Sequence, residues 1–539
     1  MGATRIPTPV DEPADRPATS VRPLKQAFPP GLIDRLVERV VTGSSPTTVM
    51  TYAPFTGEEL AALPQSMPGD IQVAFEAARK VHQEWAATGI SQRAAVFRRF
   101  HDLLLQRQRQ ILDIIQIESG KARAHAFEEV AEIAAVARYY ARTGRTHLRP
   151  RRRRGAYPLL TTVWEQRQPK GVIGIITPWN SVLTPTISDV IPALLAGNAV
   201  VLKPDISTAL SVLWTHELLS RAGLPKGLFQ IVVGDGPVIG PALIDHADYV
   251  AFTGSTRTGR QVAQQAAYRL IGCALDLGAK NSMLILDDAD LTRAAECAER
   301  ACFASAGQSR TSIERIFVHY SVYNAFMARF LDRVRAITLG AGLDFTADMG
   351  SLASAVRLDR VVAHVEDARA KGATVLAGGR ARSDIGPFFY EPTVLTGVRP
   401  NMIIDAEETL GPAVAVHQFR SETEAISRAN DTAYGLNASV WTRDVKRGRE
   451  IATQLRVGSV NLNEGYTASW ASVDASIGGR GDSGFSRRHG AEGILAFTDQ
   501  QTVAVQRLAG FIPPFRRNNQ QWAKTLTWYL AAKRWLRMR

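Results

Sequence analysis

The residues best suited to grip a phosphorylated ligand are Lys203 and the run Phe252-Thr253-Gly254-Ser255-Thr256. Each ends a short apolar run and precedes a stretch of helical character. Gly254 lets a backbone approach closely, Ser255 and Thr256 supply hydroxyl and backbone N–H donors at a helix N-terminus, and Lys203 supplies positive charge. A dinucleotide needs such groups around its phosphates. Read alone, the Gly-Ser-Thr turn is equally a simple helix start. A second stretch, Gly307-Gln308-Ser309-Arg310-Thr311-Ser312, sets hydroxyls around a guanidinium. Arg310 stays protonated at any accessible pH and has no usable lone pair. Ser309 and Thr311 become nucleophiles only beside a strong base. As helix-borne neighbours of Arg310 they are expected to point away from the site it faces.

These groups need rigid elements to hold them. Residues 171–176, 199–202, 229–233 and 249–252 are continuous apolar runs, with a helical stretch at 207–222 between them. Apolar strands separated by helices predict a parallel sheet covered on both faces, in a doubly wound nucleotide-binding arrangement. Residues 282–286 begin another such set, with strands at 316–318 and 373–375. The fold class is therefore α/β with two doubly wound parallel-sheet domains that change near residue 280. Upstream, residues 71–87, 94–118 and 127–142 carry helical periodicity, and Gly120 stops the second helix.

Composition narrows the classes further. The chain has 539 residues, 45% of them apolar, and a net charge of +13. That excludes a wholly disordered chain and permits anionic partners without requiring them. The basic run at 145–154 has no interleaved aromatic residue, so a solvated connecting loop is expected rather than a nucleic-acid patch. Residues 1–30 hold seven prolines and read as a flexible arm. The last residues, within 509–539, read as a basic amphipathic tail that docks on protein or touches an anionic membrane surface. No apolar run is long enough to cross a membrane, and no signal core opens the chain. Cys273, Cys297 and Cys302 are too few for a disulfide framework. A cytoplasmic location is expected, with no metal site.

Between residues 168 and 490 six ordered blocks stand out: Gln168-Pro-Lys-Gly with Thr177-Pro178-Trp179-Asn180; Lys203-Pro204; Phe252 to Thr256 with Gly259; Glu407-Glu408-Thr-Leu-Gly-Pro412; residues 430–436; and the glycine-rich 478–484. Together they resemble the aldehyde dehydrogenase superfamily over residues 45–505. Residues 277–281, 312–318, Tyr466 and Arg487-Arg-His-Gly490 are most similar to succinate-semialdehyde dehydrogenases of the actinobacterial type.

The resemblance implies a fold of that family: a dinucleotide-binding domain from 31–145 and 166–280, a catalytic domain at 281–489, and oligomerisation strands at 146–165 and 490–508. It implies a homodimer or homotetramer, NADP or NAD as cofactor, and a small-molecule aldehyde as substrate. Pro178, Trp179, Lys203, Gly254, Ser255, Thr256 and Glu408 match cofactor-binding positions, with Glu408 at the nicotinamide ribose. The Glu that holds ribose hydroxyls in NAD-preferring members is Ile206, which removes repulsion against a 2′-phosphate. In the family a thiolate attacks the aldehyde, an Asn amide holds the oxyanion, hydride leaves to the cofactor, and a Glu-activated water cleaves the thioester. Asn180 matches the oxyanion residue. The catalytic positions otherwise depart: Arg310 stands where the family has its nucleophilic Cys, Asp276 where it has the base, and Leu410 replaces an aromatic. Cys302, eight residues before Arg310, lies about 12 Å off along a helix axis. Two readings follow. One is NAD(P)-dependent oxidation of an aldehyde, with succinate semialdehyde as candidate, to the carboxylate. The other is a catalytically impaired relative that binds nucleotide or a partner subunit. An Arg310–Asp276 ion pair that closes the catalytic pit is expected.

Overall fold

A computed structural model describes residues 28–155, 161–507 and 518–535. The proline-rich arm expected at 1–30 falls outside the described residues, apart from its last three.

Five parallel strands form the first sheet. Their spatial order is Phe229–Ile231, Ala199–Lys203, Val172–Ile176, Tyr249–Thr253 and Gly272–Asp276. Chain order thus runs outward from Val172–Ile176 in both directions, which makes the gap beside that strand a topological switch point. The inner strands are almost wholly buried and alternate no polar residues, because helices cover both faces. The crossovers are Thr184–Leu195, Ala209–Arg221, Gly236–His246 and Thr256–Tyr268.

The stretch 94–118 expected as one helix is two, Ile90–Gln106 and Gln108–Ser119. Arg107 leaves helical dihedrals at φ −108°, ψ 13°. Each helix buries its own stripe, Phe97, Phe100 and Leu104 in one and Ile111, Ile114 and Ile115 in the other. A break of one residue shifts the apolar phase too little to register in the pattern. Gly120 closes the second helix at φ +74°. The next helix, Arg123–Leu148, is longer than periodicity indicated and takes Arg145 and His147 into its last turn, where the Arg145 cation suits the helix dipole. The basic run is therefore a helix end followed by an exposed strand, Arg151–Arg154, and not a loop.

The second sheet begins at Asn281, five residues past the end of the first at Asp276. Its order is Thr374–Ala377, Thr393–Thr396, Ala413–Phe419, Ile313–His319, Asn281–Ile285, Asn437–Trp441, Ser459–Leu462. All neighbours are parallel except the first pair. A third, antiparallel sheet joins Thr498–Gln506 to Thr161–Pro169 and then to Arg151–Arg154. It presents Trp164, Val503 and Val505 to solvent.

The helix Asn519–Trp535 buries no residue. Trp522, Leu526 and Tyr529 lie along one side of it and are partly shielded, while Trp528 and Leu530 are exposed. No helix among the described residues is long and apolar enough to cross a membrane.

Candidate active site

The strand ends of the first sheet converge on one crevice. Thr177 to Asn180 follow the central strand, Lys203 ends its neighbour, Gly254 to Thr256 follow Tyr249–Thr253, and Asp276 ends the edge strand. The second sheet supplies the facing wall through residues 308–311 and 407–410.

On the outer part of the crevice the groups suit an anionic ligand. Lys203 is buried, and its Nζ donates to Pro204 O at 3.1 Å. Burial lowers its pKa, opposed by Asp205 and Asp235. A Cβ at Gly254 would stand 2.2 Å from the Phe252 ring, so any larger residue there would force that ring to shift. Ser255 caps the helix Thr256–Tyr268 by accepting from Thr258 N at 3.2 Å. Thr256 is turned elsewhere, donating its hydroxyl to Asp482 O at 2.9 Å. Pro178 and Trp179 are partly exposed, and the Arg357 guanidinium lies 4.5 Å over the Trp179 ring. Glu408 accepts from Ala279 N at 2.8 Å; burial raises its pKa, and Arg310 opposes the rise.

In the inner part Arg310 and Asp276 form the expected ion pair, at 3.6 Å and without a hydrogen bond between them. The hydrogen bonds of Arg310 go to three backbone carbonyls: Gly254 O and Asp276 O, each at 2.8 Å, and Leu277 O. The side chain is long enough to pass the carboxylate and reach the backbone behind it. The Asp276 carboxylate is held by Arg488, which also grips Asp189 through both oxygens at 3.0 and 2.9 Å and donates to Thr253 Oγ1 at 2.7 Å. Burial works against the Arg488 charge, yet Asp189 and Asp276 outweigh it, and its pKa is raised.

Ser309 and Thr311 do not point away from the site; both line the same cavity as Arg310, with their hydroxyls 2.9 Å apart. The reason is local. The helix Leu291–Phe303 has ended, and Ser305, Ala306 and Gly307 take φ of +53°, +54° and +67°, which swings the chain out of helical register. Neither hydroxyl is bonded to a carboxylate or imidazole. Asn180 is buried and donates Nδ2 to Gln308 O at 2.7 Å. No thiol lines the cavity. Burial raises the Cys302 pKa well above the ordinary thiol value, and burial with Glu464 pushes Cys297 to about 12. The cavity thus offers cations, amides, hydroxyls and the His125 imidazole but no thiolate, and its carboxylates are paired: Asp276 with Arg488, Glu128 with Arg300, Glu129 with Lys121 and Glu132 with His489.

Sequence reasoning missed the residues that build this wall. Glu314, buried in strand Ile313–His319, accepts from Lys280 Nζ at 2.6 Å and from Thr409 N and Leu410 N at 2.9 Å each. It fixes the segment that carries Glu408. Asn281 holds Arg310 O and Ser312 O at 2.7 and 2.9 Å. His125 accepts from Ser305 N at 3.0 Å, and burial lowers its pKa to about 4. Charged residues inside strand patterns, Glu314 and Arg315 above all, were the available signal.

The chain belongs to the aldehyde dehydrogenase family, whose sequence model matches residues 40–503. It is 48% identical over 475 residues to the candidate succinate-semialdehyde dehydrogenase (NADP+) 2 of Mycobacterium tuberculosis, covering 88% of this chain and 91% of the relative. A candidate succinate-semialdehyde dehydrogenase (NADP+) of Mycolicibacterium smegmatis is 48% identical over 473 residues, 88% of this chain and 92% of its own. Among solved structures, succinate-semialdehyde dehydrogenase from Burkholderia pseudomallei superposes with a TM-score of 0.82 at 34% identity, covering 85% of this chain and 94% of that one. The NAD+ complex of an aldehyde dehydrogenase from Bacillus cereus gives 0.84 at 31% identity, with coverage of 91% and 100%.

Proposed function

We propose that this aldehyde dehydrogenase relative binds NADP and a short aldehyde of the succinate semialdehyde class in the crevice, and that it is arrested before acyl transfer. The observation that carries the reading is Arg310, which spans the crevice to Gly254 O, Asp276 O and Leu277 O where acyl transfer needs a thiolate. The 48% identity to relatives named for NADP and succinate semialdehyde supports the ligand classes. Ile206 in place of a carboxylate supports NADP. Lys203 and Ser255 would hold the dinucleotide's adenosine and phosphate end, and Glu408 its second ribose. When bound, the dinucleotide supplies a hydride acceptor. Asn180 offers an amide to a carbonyl oxygen, but no side chain supplies a thiolate for the covalent adduct, and Asp276 is tethered to Arg488 through Oδ2 and is one methylene shorter than the family's Glu.

The fold supports assigning 31–145 and 166–280 to dinucleotide binding and 281–489 to the catalytic wall. Exposed Trp164, Val503 and Val505 on the antiparallel sheet support subunit contact through 146–165 and 490–508, measurable as a dimer or tetramer mass by light scattering. A second reading, active oxidation, is favoured by the retained Asn180 and Glu408. One experiment separates the two. NADP raises the melting temperature, while succinate semialdehyde with NADP yields no NADPH. Steady NADPH formation overturns the arrest. No thermal shift with either dinucleotide overturns the cofactor reading.

A further inference from the structure

We infer that Arg310 is a built-in occupant of the inner end of the dinucleotide crevice, so that the chain holds the adenosine diphosphate portion of the ligand and shuts out the pyridine ring. The inference rests on the cofactor reading above and asks which part of the ligand the site accepts.

The crevice of a doubly wound sheet lies outside the carboxyl ends of its strands at the switch point. Gly254 O stands just past the end of Tyr249–Thr253, the strand next to the central one, and Asp276 O and Leu277 O stand at the carboxyl end of its edge neighbour Gly272–Asp276. Arg310 donates to all three from the opposite wall. Its side chain is 14% exposed, so the guanidinium fills the space and does not lie across its mouth. The backbone behind it is pinned, because Asn281 Nδ2 holds Arg310 O at 2.7 Å. Glu408, beside Ala279 N, lies close enough for Arg310 to stabilise its charge.

A pyridine ring that is to take hydride must approach the reacting carbon to about 3–3.5 Å, and in the family the resemblance names that carbon is carried by the nucleophile whose position Arg310 holds. The ring must therefore lie against positions 310 and 276. Its carboxamide presents N–H donors in a plane, as a guanidinium does, and needs carbonyl acceptors. The acceptors at that spot are already bonded. Arg310 Nε has no partner, so the group fits the crevice without saturating it, as a cation wedged into a space shaped for another ligand would. Nothing comparable blocks the outer end, where Lys203 and the Ser255-capped helix remain.

Calorimetric titration of the whole protein with NADP and with 2′-phospho-ADP-ribose, the same ligand lacking the pyridine ring, tests this. Wild type is expected to bind the two within about threefold, and Arg310→Ala and Arg310→Cys to prefer NADP by about tenfold or more. Saturation-transfer NMR on wild type with NADP gives a readout free of variants: adenine protons respond and pyridine protons do not. A wild-type preference for NADP of about tenfold, or pyridine protons that respond as strongly as adenine, overturns the inference while leaving the cofactor reading intact. If neither ligand binds wild type or variants, both fall together.

Discussion

Replacing Arg488 by Met removes one cation from between two carboxylates. Arg488, Asp189 and Asp276 have side chains only 12, 10 and 12% exposed, so water cannot replace the lost partner. The bonds lost are the fork to Asp189 at 3.0 and 2.9 Å, the contact with Asp276 Oδ2 and the 2.7 Å bond to Thr253 Oγ1. Removing one partner of a buried pair costs about 3–5 kcal/mol, chiefly because the remaining charge stays buried. R488M strands Asp189 and leaves Asp276 only its 3.6 Å contact with Arg310, which places the loss within that range at pH 7.5. Urea denaturation reads it as a lower midpoint. Asp189→Asn added to R488M removes one stranded charge and should recover about half of the loss, within the stated range. A loss below about 1 kcal/mol, or one that Asp189→Asn does not relieve, would refute the reasoning.

Three more outcomes are expected. Glu314→Gln leaves the wholly buried Lys280 without its counter-charge and should cost about 3–5 kcal/mol in urea, with Lys280→Met added to it recovering most of the loss. His125 stays neutral in the fold to about pH 4, while the unfolded chain takes up its proton near 6.5. Its contribution is therefore present above pH 6.5 and lost as pH falls from there toward 4. Between pH 7.5 and 5 wild type should lose about 2 kcal/mol more than His125→Asn, which keeps an acceptor for Ser305 N; equal losses in calorimetry would remove His125 as the cause. Arg310→Cys should react with p-nitrophenyl acetate in a single burst and then stall, while Arg310→Cys with Asp276→Glu turns over about 10²-fold faster; equal steady rates would show that Asp276 does not limit hydrolysis.

Much of the fold is written locally. Val172–Ile176 and Ala199–Lys203 carry no alternating polar residue, and a strand buried on both faces needs none. Gly254 is equally legible, because its contact is with Phe252 two residues away. The site is less so. The pairs that shape it join residues far apart in the chain: Arg488 to Asp189 across 299 positions, Lys280 to Glu314 across 34. A single sequence carries no signal of which charge meets which across such distances. The orientation of Ser309 and Thr311 was misread for a different reason. Left-handed dihedrals at Ser305 and Ala306 belong to residues that rarely adopt them, so nothing in their types announces the turn.

The two arginines act on the crevice in different ways, and neither alone accounts for its state. Arg310 takes the place of a nucleophile and draws on backbone carbonyls that no mutation at a neighbouring side chain can remove. Arg488 leaves position 276 acidic but commits one of its oxygens, while the other, Oδ1, accepts no hydrogen bond. A carboxylate so placed is ordered yet only half used. Restoring a thiol would free three carbonyls and the space in front of them, but it would not release Asp276 from Arg488, nor add the methylene that a water-activating Glu supplies. On the reading proposed above, arrest before acyl transfer has two separable layers, an occupied nucleophile position and a tethered carboxylate, and the second would persist after the first is undone.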